Sequence, residues 1–492
     1  MLAISIFFLC LWFFTKNHRS LSSVTRMLFW VSLLVQIYFA AQNIGSISDL
    51  FLYGFFTCIL MAGVGFIIDM LSDKIVLKGA VACMSILLGF WIDYTFTTIK
   101  PSEIEQIQLD PSGEILIQIE PRYFQEIKDK IQNSGEAISR AFHPLHTAST
   151  NLDDYFLIDI KSSKKTETFI QELEKWDGIR WVEPNEEIAF EIPFKNGVSQ
   201  PTGKSILSND PSASLQWHLS FLDMQDYYSF VKDKNLNPNK KAQLYILDTG
   251  IDAKHEDLII HGKGGKDSQG HGTHCAGIAA AITNNAIGVA SMAPAQNWIE
   301  VHGIQVISDV GFGTQKSVID GIISAADNGA DVISLSLGGI TNQTREKAYN
   351  DAVSYANSKG AIIVVAAGNA ALDGKRYSPA NSENVIVVTS VNENLQKSGF
   401  SNHVQNLKMG VSAPGEKILS TTPSNTYTAF SGTSMSTPQV AGLIAVLKSL
   451  NPTLDTQSAY SILTQTGKET KETVKTGKLI QPYKAISSLF MK

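Results

Sequence analysis

The 492-residue sequence is poor in cysteine and has no long basic run. Three of its four cysteines, Cys10, Cys58 and Cys83, lie in apolar segments, and only Cys275 lies beyond residue 99. An intramolecular disulfide is therefore excluded after residue 99, and the domains there must depend on their cores. Lys and Arg number 40 against 46 Asp and Glu, so the basic footprint of a nucleic-acid-binding protein is missing. We expect no nucleic acid among the partners.

Charged side chains are absent from four apolar stretches before residue 99, at 1–15, 27–48, 50–68 and 79–92. A helix needs about 20 residues to cross a bilayer, so the second and third stretches are long enough and the other two are short. Positive charge follows the first stretch instead of preceding it, which is not typical of a cleaved signal peptide. Residues 1–99 therefore predict a transmembrane region of three to four helices in a lipid bilayer.

The charges between these stretches predict the orientation. Lys16, Arg19 and Arg26 follow the first stretch, and Lys74 and Lys78 follow the third. The positive-inside rule places both loops in the cytoplasm. The remainder of the chain is then expected on the extracytoplasmic side, periplasmic or extracellular, of a multi-pass cell-membrane protein. Buried helices of a soluble domain are the alternative.

Residues 113–192 alternate between the periods of strands and helices. "EILIQIE" and "DYFLIDIK" have strand periodicity, and "PRYFQEIKDKIQNSG" places Phe124, Ile127 and Ile131 on one helical face. The predicted order, β-α-β-β-α-β, is the ferredoxin-like α+β arrangement. This module has no catalytic cluster of its own, and the polar segment 193–210 after it predicts a linker that could be cut.

From residue 211 to 492, apolar strands alternate with helices. The strands, such as "AQLYILD" and "AIIVVAAGN", are continuously apolar, which indicates that both of their faces are covered. The pattern predicts an α/β domain with a mostly parallel sheet and helices on both faces. Ligands of such folds bind beyond the carboxyl ends of the strands.

Chemistry-bearing residues follow several of these strands. "AQLYILD" ends in Asp248, "AIIVVAAGN" ends in Asn369, and the glycine-marked helix starts "GHGTHCAG" and "FSGTSMSTPQVAG" carry His271 and Ser434. A serine hydroxyl needs a base to remove its proton, and an imidazole base needs a carboxylate to hold its tautomer. An acid, a base, an amide and a hydroxyl at one sheet edge therefore predict acyl-transfer chemistry.

The region from about 211 to 485 resembles the subtilisin-like serine proteases, or subtilases. The resemblance is carried by "ILDTGID", "GHGTHCAG", "SLSLGG", "AAGN" and "GTSMSTP", which stand in the family's order. It implies a serine endopeptidase acting on protein or peptide substrates, with no cofactor for the chemistry.

The same resemblance implies a role for each matching residue. Asp248 would orient the base His271, and Ser434 would be the nucleophile. Asn369 and the Ser434 N–H would form the oxyanion hole. The strand at Ser336, Leu337 and Gly338 would pair with the substrate backbone.

Neighbouring residues have simpler interpretations. We expect His274 to be a structural histidine and Cys275 to pack near the base without acting as a nucleophile. Ser436 stands where relatives usually have alanine, and we expect a tolerated small residue there.

A structural calcium ion is a further expectation. "AITNNAIGVA" resembles the family's calcium loop, which would make Asp257, Asn285 and the carbonyls of Ile287 and Val289 the ligands. Whether this chain binds the ion stays open at this stage.

The family context also gives the ferredoxin-like module a meaning. It resembles the inhibitory propeptide that precedes many subtilase domains, so we expect a zymogen whose own propeptide is an intramolecular inhibitor. A module that stays attached, leaving a tethered enzyme, is one alternative. An inactive protease-fold receptor or scaffold is another.

Overall fold

The computed structural model describes residues 114–160, 166–189, 194–197, 208–262, 266–309, 311–341 and 346–491. The chain separates into two compact units, Met1–Gln106 and Ile107–Lys492. The apolar stretches predicted to cross a membrane belong to the first unit and lie outside the described residues. Within the described ranges, none of the helices combines the length and hydropathy that a bilayer span requires.

The second unit begins with a four-stranded antiparallel sheet and two helices. In chain order these are β1 (Ile115–Ile119), α1 (Phe124–Asn133), β2 (Ala137–Arg140), β3 (Tyr155–Asp159), α2 (Thr166–Leu173) and β4 (Ile179–Pro184). The strands lie in the order β2-β3-β1-β4, and each neighbouring pair is antiparallel. The predicted β-α-β-β-α-β order is therefore confirmed.

Within this small sheet, β1 is buried on both of its faces. Ile115 and Ile117 on β1 pack with Ile127 and Ile131 of α1, whereas Leu116 faces the other way into the core of the larger part of the unit. Side chains alternate between the faces of a strand, so a strand with every residue buried must be covered on both sides. The module is therefore docked on the rest of the unit.

The larger part is built on an eight-stranded sheet in which every neighbouring pair is parallel. The strand order is β19-β16-β15-β13-β11-β7-β9-β8. These strands are β7 (Ala242–Asp248), β8 (Ile260–His261), β9 (Ile299–Gln305), β11 (Val332–Leu335), β13 (Ile362–Ala366), β15 (Ile386–Val391), β16 (Gly410–Pro414) and β19 (Lys478–Leu479).

Seven short strands form smaller sheets around it. They are β5 (Glu187–Ala189), β6 (Phe194–Asn196), β10 (Phe312–Thr314), β12 (Gly339–Ile340), β14 (Tyr377–Ser378), β17 (Ile418–Thr422) and β18 (Thr426–Ser431). The helices are α3 (Trp217–Phe221), α4 (Met224–Asp233), α5 (His271–Ala280), α6 (Gln315–Asp327), α7 (Lys347–Ser358), α8 (Thr433–Leu450), α9 (Thr456–Thr466), α10 (Thr473–Thr476) and α11 (Pro482–Ser488).

The sheet lies between two apolar cores, as its continuous hydrophobicity predicts. On β13, Ile362 and Val364 face one core and Ile363 and Val365 face the other. Residues 433–449 of α8 are all buried, and a helix that is largely apolar on every side is expected only inside a protein. The prediction of an α/β domain with a covered parallel sheet is confirmed.

The segment 193–210 differs in one respect from the predicted linker. Residues Phe194–Asn196 form β6, which pairs antiparallel with β18 and places Phe194 opposite Ser431. The composition of this segment is polar, but pairing between backbones does not depend on apolar side chains. Three residues of the predicted linker therefore form a strand.

Candidate active site

The predicted site residues converge on the carboxyl edge of the large sheet. Asp248 is the last residue of β7, Ser336 directly follows β11, and Asn369 follows β13. His271 is the first residue of α5, and Ser434 is the second residue of α8.

Asp248 and His271 form a buried pair. Nδ1 of His271 lies 2.7 Å from Oδ1 of Asp248, and the same oxygen accepts the N–H of Thr249 at 2.8 Å. Burial disfavours the imidazolium, but the charge of Asp248 and its hydrogen bond outweigh burial and raise the pKa of His271 well above its usual value. The contact holds Nδ1 as the donor, so that Nε2 is the nitrogen that can accept a proton.

Ser434 is only 5% exposed and lies where α5, β11 and α8 meet. Its Oγ donates to the carbonyl of Ser336 at 3.1 Å. The Ser434 carbonyl accepts from Ser336 Oγ at 3.0 Å and from Cys275 Sγ at 3.5 Å. These contacts fix the backbone of Ser434 against the helix that carries His271.

Two N–H donors meet beside Gly432. Asn369 Oδ1 accepts from the N–H and the hydroxyl of Thr433 at 2.8 and 2.9 Å, so the Nδ2 end of the amide is turned away from Thr433. A Cβ placed on Gly432 would lie 3.6 Å from Asn369 Nδ2 and 3.7 Å from the Ser434 nitrogen. Met435 Sδ lies at the same distance of 3.7 Å, so the point beside Gly432 has two nitrogen donors and one sulfur atom within 4 Å.

Part of the chain itself lies beside the predicted substrate strand. β5 pairs antiparallel with β10, and Ile188 on β5 is fully buried. A Cβ on Gly339, the residue after Gly338, would lie 3.4 Å from Ile188 Cδ1. β5 therefore lies between β10 and the residues that follow β11. Leu337 and Ile188 belong to the same apolar core.

A second strand of the chain, β6, leads to the same helix. It pairs with β18, which ends at Ser431, three residues before Ser434. Residues 190–193, which join β5 to β6, lie outside the described residues.

His274 and Cys275 are buried beside the pair. His274 Nε2 donates to the Thr428 carbonyl at 2.9 Å and the ring stacks on Phe430, while burial lowers its pKa to about 3. A neutral structural histidine is therefore confirmed. Burial also raises the pKa of the Cys275 thiol, which disfavours a thiolate nucleophile and supports the interpretation as a packing residue.

In the described ranges, one group of acidic, His and Cys side chains has the spacing of a metal site. It consists of Asp248, His271 and Cys275, whose possible ligand atoms lie within 4.8 Å of one another. In this structure the Asp248 and His271 atoms of this group are hydrogen-bonded to each other.

The predicted calcium residues lie together around a buried carboxylate. Asp257 accepts from Asn285 Nδ2 at 2.8 Å and from the N–H of Val289 at 2.9 Å, while Asn285 Oδ1 accepts from the N–H of Ile287. Burial raises the pKa of Asp257 to about 7. Val289 thus contributes its N–H to this cluster, whereas the sequence predicted its carbonyl.

Asp210 is a residue of this cluster that the sequence did not reveal. It is buried, and it accepts the N–H groups of Asn284 and Asn285 at 2.9 and 3.0 Å. Asp210 and Asp257 both accept hydrogen bonds from Asn285, the first from its N–H and the second from its side chain, so both carboxylates belong to one cluster. A pair of buried acidic groups with amide oxygens nearby fits a hard cation such as calcium.

Ser436 was predicted only as a tolerated small residue, but its hydroxyl makes specific contacts. Its Oγ lies within hydrogen-bond distance of the carbonyls of Ala413 and Pro414, at 3.0 and 3.1 Å. The extra hydroxyl therefore ties the first turn of α8 to the end of β16.

Comparisons with known proteins agree with this geometry. The profile of the Subtilase family, Peptidase_S8, matches residues 239–479. Thermitase from Thermoactinomyces vulgaris is 44% identical over 218 residues, which cover 42% of this chain and 75% of thermitase. Subtilisin E from Bacillus subtilis (strain 168) is 31% identical over 341 residues, which cover 66% of this chain and 76% of that protein. The second match is longer than the region 211–492, so it extends into the preceding residues.

Solved structures show the same fold. Fervidolysin from Fervidobacterium pennivorans, a keratinolytic enzyme related to subtilisin, aligns with a TM-score of 0.61 at 22% identity, over 78% of this chain and 64% of its own. A protease from Pseudoalteromonas arctica aligns with a TM-score of 0.50 at 28% identity, over 57% of this chain and 99% of its own. The chain belongs to the subtilase family and is a subtilisin-like serine endopeptidase.

Proposed function

We propose that the protein is a membrane-anchored serine endopeptidase, made as a zymogen, in which Ser434 is the nucleophile, His271 the base and Asp248 the residue that orients it. The observation that carries the proposal is the 2.7 Å contact of the buried Asp248–His271 pair, next to a serine whose N–H faces the same space as Asn369 Nδ2. An inactive receptor or scaffold is not favoured, because the sequence retains the acid, the base, the amide and the hydroxyl that the chemistry needs.

The reaction follows from the roles of these atoms. His271 Nε2 removes the hydroxyl proton as Ser434 Oγ attacks the carbonyl of the scissile bond. The oxyanion of the tetrahedral intermediate accepts from Asn369 Nδ2 and the Ser434 N–H. His271 then gives the proton to the leaving amine, and a water molecule hydrolyses the acyl-enzyme by the same steps in reverse.

The substrate backbone is expected to bind where β5 now lies, between β10 and residues Ser336 to Gly338. An extended peptide can add to β10 as a strand through main-chain hydrogen bonds, which suits substrates of varied sequence. Protein and peptide substrates are therefore expected.

The zymogen proposal is supported by the chain's own occupation of the cleft. β5 pairs with β10, next to the expected substrate strand, and β6 pairs with β18, which leads into the helix of Ser434. The docked ferredoxin-like module leads directly into β5, and the match to Subtilisin E also extends into the residues before 211. We infer that the enzyme cuts itself between Ala189 and Phe194.

The membrane anchor and its orientation are supported by the sequence alone. The uncharged stretches before residue 99 and the lysines and arginines between them place the enzyme on the extracytoplasmic face of the cell membrane. Cutting the chain after Ala189 would separate the protease from this anchor.

A structural calcium ion is proposed at Asp257 and Asn285, with Asp210 as a second carboxylate and carbonyls of the 287–289 turn completing the set. Two neighbouring buried carboxylates support it, since a cation would offset their repulsion. The ion would stabilise the loop and take no part in the chemistry.

A fluorophosphonate probe tests the nucleophile assignment. The wild-type chain should be labelled on Ser434, and labelling should be lost in Ser434→Ala and retained in Ser436→Ala, the neighbouring hydroxyl on the same helix turn. Labelling of Ser434→Ala as strong as that of wild type would overturn the assignment. A correctly processed wild type that takes no label would favour the scaffold.

A further inference from the structure

A second carboxylate, Asp267, is buried beside the site and has no part in the mechanism above. It lies four residues before His271 and is only 4% exposed. Its two oxygens accept five hydrogen bonds, from Thr249 Oγ1 at 2.9 Å, Gln269 N at 3.2 Å, Gly270 N at 2.7 Å, Thr273 N at 2.9 Å and Thr273 Oγ1 at 2.6 Å. Burying a carboxylate costs free energy unless its oxygens accept hydrogen bonds. The five bonds to Asp267 therefore indicate that its side chain is held in a fixed position.

These hydrogen bonds involve residues before and after the base, His271. Gly270 and Thr273 lie on either side of His271 in the first turn of α5, and both of their N–H groups end on Asp267. The first N–H groups of a helix have no partner within the helix, and a carboxylate there satisfies them and offsets the helix dipole. Asp267 therefore fixes the backbone from which the imidazole projects.

Thr249 extends this network to the other half of the pair. Its N–H donates to Asp248 Oδ1 at 2.8 Å, its hydroxyl donates to Asp267, and the same hydroxyl accepts the N–H of Gly272 at 3.0 Å. The end of β7, which carries Asp248, and the start of α5, which carries His271, are thus joined through Thr249 and Asp267.

We propose that Asp267 is a positioning residue for this hydrolysis, which acts through Thr249 and the start of α5 to hold His271 at hydrogen-bond distance from Asp248. The bonds to Asp267 include those from Thr249 and from the N–H groups of Gly270 and Thr273, so the effect passes through these groups. A shift of the base of about 1 Å is enough to cost on the order of 10²-fold in rate.

A helix cap that only stabilises the fold would have a different effect on the kinetics. Its loss would lower the melting temperature and leave the turnover of the folded enzyme unchanged. Loss of a positioning residue lowers kcat in the folded enzyme and leaves KM nearly unchanged, because the substrate-binding strands are untouched.

The test compares substitutions in the full chain. Asp267→Ala should lower kcat by about 10- to 100-fold, with KM within about twofold of wild type. Asp267→Asn, which retains one acceptor oxygen, should lower it less. Asp455 is the matched control, because it caps α9 through the N–H of Ser458 at 2.7 Å, away from the site. Asp455→Ala should lower the melting temperature and leave kcat within about twofold.

A double-substitution cycle keeps the inference testable if Asp267→Ala folds poorly. Thr249→Val removes the hydroxyl that joins the two carboxylates, and Thr249→Ser restores it. We expect Thr249→Val to lower kcat, Thr249→Ser to recover most of it, and Asp267→Asn combined with Thr249→Val to lose less than the product of the single losses. Rates of fluorophosphonate labelling of Ser434 should follow kcat through the series.

Two results would overturn the inference. One is a kcat within twofold of wild type in folded Asp267→Asn and Thr249→Val. The other is a loss of kcat in Asp455→Ala as large as that in Asp267→Ala, since activity would then follow general stability.

Discussion

At the scale of single residues, the proposed hydrolysis depends on a carboxylate that holds an imidazole in place. Asp248 Oδ1 lies 2.7 Å from His271 Nδ1 in a buried environment, and this contact raises the pKa of His271. Only a neutral imidazole can remove the proton of Ser434. A raised pKa therefore moves the acid limb of activity upward, and the enzyme should work best in alkaline solution.

Substitution of Asp248 tests this contact. Asp248→Asn should lower kcat by about 10⁴-fold, because the amide no longer holds the required tautomer. Any residual activity should have its acid limb at lower pH, since the charge that raised the pKa of His271 is gone. The measurement is the pH profile of kcat/KM. Asp252→Asn is the control, because Asp252 binds the N–H groups of Lys254 and Ser424, and it should keep kcat within about twofold.

The oxyanion hole makes a separate prediction for Asn369. Asn369→Ala should lower kcat by about 10²- to 10³-fold with little change in KM, a magnitude carried over from the corresponding donor in subtilisin. The exposed Asn394 is a suitable control, and Asn394→Ala should leave kcat unchanged. A large change in KM with kcat preserved would instead assign Asn369 to substrate binding.

At the scale of secondary-structure elements, the ferredoxin-like module is held by a buried side chain on β4. Glu183 is fully buried and accepts from Gln315 Nε2 at 2.9 Å and from the N–H of Ala348 at 3.2 Å. These donors lie in the first turns of α6 and α7. One carboxyl group thus accepts a backbone N–H at the start of α7 and a side-chain amide at the start of α6.

This contact predicts a pH dependence for release of the cut module. Burial raises the pKa of Glu183 to about 7 from its ordinary value of 4.5, in spite of the hydrogen bonds it accepts. Docking favours the protonated form of Glu183. Docking is therefore strongest below the ordinary pKa of 4.5, and it weakens as the pH rises through about 7. The cut module should therefore leave faster at pH 8 than at pH 6, as measured by size-exclusion chromatography over time.

Two variants separate Glu183 from other titrating groups. Glu183→Gln should abolish the difference between pH 6 and pH 8, whereas Glu172→Gln, on an exposed position of α2, should keep it. An unchanged pH difference in Glu183→Gln would contradict the assignment.

The calcium loop makes a prediction at the same scale. Chelation should lower the melting temperature by about 5–10 °C, the effect of removing an ion present at roughly 100 times its Kd from a domain of this size. The stabilisation by calcium should grow from pH 6 to pH 8, because the ion requires ionised carboxylates and the pKa of Asp257 is raised to about 7.

Substitutions assign this effect to its ligands. Asp257→Asn and Asp210→Asn should each remove most of the response to calcium, and Asp226→Asn, on the exposed face of α4, should keep it. A full response to calcium in Asp257→Asn would place the ion elsewhere.

At the scale of the whole molecule, local patterns predicted the sheet, and the contact between Asp248 and His271 at its edge, better than the contacts between distant segments. Continuous apolar runs predicted the parallel strands, and Asp248 was located because it ends such a run. The positions of Asp210 and β6 were not predicted. They depend on pairing with Asn285 and with β18, far along the chain, and no local periodicity encodes such partners.

The docking of the ferredoxin-like module also depends on contacts between distant segments, which local sequence patterns do not predict. Its element order follows from alternating periods, but β1 is buried on both faces because a second surface covers it. Glu183 would be taken for a surface residue from its sequence context, and only the fold brings it to Ala348, 165 positions later.

The measurement that tests the central claim most directly is N-terminal sequencing of the full chain expressed in its wild-type and Ser434→Ala forms. The account predicts that wild type gives a fragment that begins between Phe190 and Phe194 and leaves the membrane fraction, while Ser434→Ala stays intact in that fraction. The same cut in Ser434→Ala, or an intact wild-type chain that hydrolyses peptides, would contradict it.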